Sequence, residues 1–149
     1  MSNVGIWITV AIVLFVLGSI FGLRVSPREK ALGMMRDQAR KMGLHPRLIV
    51  APEWTNIPMA SEKRASMVAY YSVLIPDARL ALMRARVVDG KLQVVQGDQK
   101  FNDLPIALKG VYAIDMQANC VGVYWDEESD LRATQLDAMK TYLHELAQR

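Results

Sequence analysis

Between Met1 and Leu23 the chain carries no ionisable side chain, and this constrains the fold more than any motif does. The stretch Gly5 to Leu23 (GIWITVAIVLFVLGSIFGL) has only Thr9 and Ser19 as polar members. As a helix rising 1.5 Å per residue it would measure roughly 28 Å, close to the hydrocarbon thickness of a bilayer. A helix buried in a small soluble domain is rarely apolar on every face. The sequence therefore predicts a single transmembrane helix over residues 5–23, with Trp7 in the interfacial aromatic belt. A cleaved signal peptide would carry early Lys or Arg, a shorter apolar core and a small-x-small cleavage site, and Met1 to Val4 is uncharged. Gly18 and Gly22, with Ser19 beside them, form a G-x-x-x-G pattern that permits close helix–helix contact, although glycine is common in membrane helices generally.

Charge then sets the expected topology. Residues 24 to 47 hold seven basic side chains against two acidic ones, and residues 126 to 149 hold six acidic against three basic. With no basic side chain before the apolar run and six between residues 24 and 43, the positive-inside rule predicts an inner-membrane, single-pass protein. Its tail, residues 1–4, would lie outside and residues 24–149 in the cytoplasm. That leaves 126 residues, enough for one domain with its own core and no disulfide or structural metal. Cys120 is the lone cysteine, which fits a reducing compartment.

Ser26-Pro27-Arg28-Glu29 reads as a helix start, with Ser26 as cap, Pro27 in the first position and Glu29 completing a capping box. Ala31, Leu32, Met35, Ala39 and Met42 recur at helical spacing and Gly43 stops the run, which predicts an amphipathic helix over 27–42. Arg24, Arg28, Lys30, Arg36, Arg40 and Lys41 form a basic juxtamembrane set suited to anionic lipid headgroups or an acidic partner surface. The same pattern also suits an ordinary domain helix with solvated charges.

Residues 47–125 read as a sheet region. Arg47 to Ala51 predicts a short strand, followed by a long connection from Pro52 to Ser66 that holds Trp54 and a helical turn near Ala60 to Ser66. Met67 to Ile75, Leu80 to Val88 and Leu92 to Val95, joined by Pro76-Asp77-Ala78 and by Asp89-Gly90, predict a three-stranded meander. Asn102 to Gly110 predicts a short helical segment. Val111 to Met116 and Cys120 to Trp125 predict a second hairpin, and residues 130–147 a C-terminal helix with Leu136, Met139, Leu143 and Leu146 on one stripe. The expected fold class is α+β: an N-terminal transmembrane helix, then mostly antiparallel sheet of five to six strands with helices on one face.

Motifs for nucleotide, zinc or metalloprotease chemistry are absent from the sequence. His45, His144 and Cys120 are the only candidates for a catalytic group, and a lone His or Cys is more often structural. No cofactor or metal site is expected, and the modest basic excess lacks a nucleic-acid recognition motif. Tyr70-Tyr71 and Tyr124-Trp125 each place one ring on either face of a strand, so the outward member of each pair is expected to be exposed, and Trp54 either covers the core edge or anchors a partner.

These features predict a non-enzymatic accessory or assembly subunit of a larger membrane or envelope complex. Its partner would be an integral membrane protein, or a second copy, reached through the apolar helix, with lipid headgroups as a further contact. The alternatives are a sensor or adaptor domain that binds a peptide or small molecule, and an enzyme using His45, His144 or Cys120.

Overall fold

A computed structural model describes residues 3–22, 26–57 and 67–149. The chain divides into two units, Met1–Lys30 and Ala31–Arg149, and each is described by itself.

The first unit is dominated by helix α1, Val4–Gly22. Its two hydroxyls are spent inside the helix, Thr9 Oγ1 donating to Gly5 O at 2.8 Å and Ser19 Oγ to Phe15 O at 3.0 Å. What remains outside is apolar on every side, from Trp7 (70% exposed) to Phe15 (76% exposed). Among the described residues no helix is long and apolar enough to cross a membrane. This corrects the transmembrane element of the expected fold. The inner-membrane, single-pass placement, with an outside tail and a cytoplasmic domain, loses its premise with it. Arg24 lies outside the described residues, as does the helical turn expected near Ala60 to Ser66.

Helix α2, Pro27–Lys41, begins where the capping residues place it: Glu29 N donates to Ser26 Oγ at 3.2 Å. Met35 and Ala39 on its apolar stripe are fully buried, and Leu44 behind the Gly43 stop joins them. The second unit is α+β, with strands β1 (His45–Val50), β2 (Met67–Leu74), β3 (Leu80–Val88), β4 (Lys91–Gln96), β5 (Val111–Ala118) and β6 (Cys120–Trp125), and helix α3 (Leu136–Ala147). The six strands form one antiparallel open sheet in the order β1-β2-β6-β5-β3-β4.

That order corrects the meander. β3 and β4 make the hairpin that Asp89-Gly90 predicts, but β2 pairs with β1 and β6 instead of β3. The β5–β6 hairpin is inserted between them, with Leu74 opposite Cys120 and Leu80 opposite Ala118. The chain from Ile75 to Arg79 arches over the hairpin tip, and Ile75 N donates to Asn119 O at 2.7 Å. Asn102 to Gly110 is not helical. It runs along the outer edge of β4, where Leu92 N donates to Leu104 O (2.8 Å), Asp103 N to Leu92 O (2.7 Å) and Val94 N to Asn102 Oδ1 (3.1 Å).

Alternation along the strands divides the side chains between two faces. Tyr71, Val73, Met83, Ala85, Ile114, Val121, Val123 and Trp125 share the main core with Met35 and Ala39 of α2 and Leu136, Met139, Leu143 and Leu146 of α3. α3 starts later than residue 130 because Ala133 takes a positive φ of 57° and Asp130 folds back to accept from Thr134 N and Gln135 N. The opposite face carries a smaller apolar cluster built on Val68, Ala113 and Tyr124.

Candidate functional site

The smaller face holds a connected cluster of polar side chains around Asp115. Register explains why. One row across the sheet reads Arg47, Tyr70, Tyr124, Ala113, Arg86, Gln93, and the next reads His45, Ser72, Gly122, Asp115, Arg84, Gln96. Gly122 has no side chain, so the Tyr70 ring leans across it from the first row into the second. A Cβ at Gly122 would stand 2.1 Å from the Tyr70 hydroxyl carbon. The hydroxyl thereby reaches Asp115, donating to Oδ1 at 2.7 Å, while Tyr124 donates to Oδ2 at 3.2 Å. Because the Tyr70 proton is committed to Asp115, the Cys120 thiol, 3.8 Å from the Tyr70 oxygen, is the donor in that contact.

A short 3₁₀ turn, Glu53–Thr55, lays Trp54 over this cluster. Its ring meets Tyr124 edge-on at 5.6 Å between centroids, and Tyr124 meets Tyr70 at 4.7 Å. Arg86 Nε donates to Trp54 O at 2.6 Å, and the Arg84 guanidinium sits 5.7 Å from the centre of the Trp54 ring. Tyr70 and Tyr124 are therefore covered instead of exposed.

Burial holds the Asp115 carboxyl above the usual carboxylate range, and the two tyrosine hydroxyls and Arg84 offset only part of that. Burial together with the Asp115 charge pushes Tyr70 and Tyr124 far above the ordinary phenol value. Both phenols keep their protons near neutrality and donate them to Asp115, which makes this a packing and orienting network. A pH dependence follows. The folded chain retains a proton on Asp115 at pH values where the unfolded chain has lost it, so this group adds stability as pH falls from the raised value towards the ordinary one. Asp115→Asn does not titrate. The stability of the wild type relative to Asp115→Asn should rise as urea melts are taken from pH 7 down to pH 4; a flat difference would contradict the assignment.

The other expected site residues are dispersed. Cys120 is half-buried on the smaller face, while His144 belongs to α3, which packs on the opposite face of the sheet. His45 lies on β1, two strands from β6 and thus about 10 Å away laterally. The three are not brought together, and no group of three or more metal-ligating side chains occurs among the described residues. Gly18 of α1 has open space where a Cβ would stand, and the Ser19 hydroxyl is turned inward to the helix backbone.

Of the basic set, Arg28, Lys30 and Lys41 are exposed, and Arg40 pairs with Asp37 at 2.9 Å on the surface. Arg36 is not a solvated charge. Its Nε and Nη2 hold both Glu127 oxygens at 2.9 and 2.7 Å, and Tyr71 donates its hydroxyl to the same carboxylate. A shallow groove of about 290 Å³ lies between the loop at Leu104, Pro105 and Ala107 and the end of α3, at Tyr142, Glu145, Leu146 and Arg149. Burial pushes the Tyr142 phenol up to about 12, and no His or Cys lines the groove.

No family model, curated protein or solved structure matches the chain.

Sequence reasoning passed over Asp115 and Gly122 altogether and assigned Arg84, Arg86 and Glu127 to no site. The signal for the first two was present: a carboxylate in an otherwise apolar strand, and a glycine in the interior of the next one, which marks a close approach.

Proposed function

We propose that this chain is a non-enzymatic accessory or assembly subunit, built into a larger complex through α1 and presenting its α+β domain to that complex. The observation that carries this is the uniform apolar exposure of α1. A helix apolar on all sides is stable only when other apolar surfaces enclose it, and α1 offers such a surface on every side. The covered, hydrogen-bonded state of the Tyr70–Asp115–Tyr124 cluster and the separation of His45, His144 and Cys120 favour a binding role over catalysis.

The test is site-specific photo-crosslinking from Phe15 and from Trp7 in native cells, followed by purification in mild detergent and peptide identification. One partner protein, crosslinked from both positions through an apolar helix, and lost from Trp7 when Leu14 and Phe15 both become Lys, is the expected result. Recovery of the chain uncrosslinked to any protein from both positions would overturn the proposal.

A further inference from the structure

We propose that the outer edge of β1 is a docking site for an extended segment of a partner protein that alternates acidic and apolar side chains. The proposal uses a different element from α1 and stands whether or not the reading of α1 does. The two edges of the sheet are treated unequally. The β4 edge is closed by the chain's own backbone, through the bonds of Leu92 and Asp103 to the segment after Phe101. Among the described residues nothing pairs with the outer side of β1, and its side chains are exposed or half-buried throughout. An open edge strand offers unpaired N–H and C=O groups to an added strand. Pro46 has no N–H to give, so the pairing runs over Arg47 to Val50.

The two faces of this edge specify the occupant. Leu48 pairs with Ala69 and Val50 with Met67, which places them on the helix-covered side of the sheet. There Leu48 (48%), Val50 (62%) and Met67 (53%) stay exposed, beyond the reach of the helices. His45, Arg47 and Ile49 point to the opposite side, with Arg47 a fixed positive charge. A strand laid outside β1 therefore meets an apolar row on one face and a cation on the other, and opposite-charge cross-strand pairs favour an acidic side chain facing Arg47. A second copy of β1 would bring two Arg47 and two His45 side chains into one short ladder, which disfavours self-pairing.

The full-length chain in mild detergent is titrated with a labelled peptide alternating valine and glutamate, and with one alternating valine and lysine, while amide exchange is followed. The glutamate peptide is expected to bind about fivefold more tightly than the lysine peptide. Amides of residues 47–50 should gain protection, the preference should reverse in Arg47→Glu, and both peptides should weaken in Val50→Lys. Equal binding of the two peptides, no binding, or protection elsewhere would overturn the proposal. So would protection of residues 47–50 that grows with protein concentration alone, which would assign the edge to a second copy.

Discussion

Gly122→Ala is expected to lower the free energy of unfolding by about 3 kcal/mol, the largest effect of any single added methyl group in the sheet. The new Cβ would sit 2.1 Å from Tyr70 Cζ and from its hydroxyl oxygen, far inside van der Waals contact. The tyrosine ring is rigid, bonded to Asp115 and packed against Tyr124 at 4.7 Å between centroids, so it has no small adjustment available. It must leave, and the half-buried Asp115 carboxyl then loses its shorter hydrogen bond. Gly33→Ala in α2 gives the opposite sign. Its Cβ meets nothing within 4 Å, and alanine at an exposed helical position should stabilise by up to about 1 kcal/mol. Urea unfolding of both variants measures the difference. Because the cost runs through Tyr70, Gly122→Ala should be much less damaging in a Tyr70→Ala background. A Gly122→Ala loss below about 0.5 kcal/mol, or full additivity with Tyr70→Ala, would show that the ring does not depend on the glycine.

Positions of the strands were legible because local pattern decides them. Met67 to Leu74 and Leu80 to Val88 are rich in β-branched and aromatic residues, and all six strands fall within about two residues of where the local pattern puts them. The order of the strands was not legible. A connection of Ile75 to Arg79 is short enough for a hairpin, and adjacent pairing is the common outcome for sequential strands. Only the register of Leu74 on Cys120 and Leu80 on Ala118, set by contacts more than forty residues apart in sequence at the first of these pairs, reveals that the chain steps over an inserted hairpin. The same long-range logic hid the polar cluster. Asp115 reads as a solvated outward residue until Tyr70, Gly122 and Trp54 are known to share its face. The apolar run at the N-terminus was plain in composition. Among the described residues, however, no helix is long and apolar enough to cross a membrane.

Arg36 shows the same effect in a single side chain, and it leads to the second large expected result. On the sequence it belongs to a basic helical face, yet in the fold it is two-thirds covered and bound to a carboxylate that is 6% exposed. Glu127→Ala is expected to destabilise the domain by about 3 kcal/mol. The Tyr71 hydroxyl, on a fully buried residue, loses its acceptor, and this alone costs about 1–3 kcal/mol. Arg36 loses both of its bonds, but at 28% exposure it can turn towards water, so its share is smaller than for a fully buried pair. Asp37→Ala, which breaks the exposed pair with Arg40, should change stability by less than about 0.5 kcal/mol. The triple replacement Arg36→Met, Tyr71→Phe, Glu127→Leu removes the charges and the hydroxyl together and should recover much of the loss, since apolar groups of similar volume replace a buried pair at little cost. Amide exchange locates the effect. The clasp fastens α2 to β2 and to the turn after β6, so Glu127→Ala should speed exchange in α2 near Met35 and Ala39 before it does so in β5. Equal stability of Glu127→Ala and Asp37→Ala would mean that packing of Met35 and Ala39 alone holds the helix, and the ion pair would then be incidental to it.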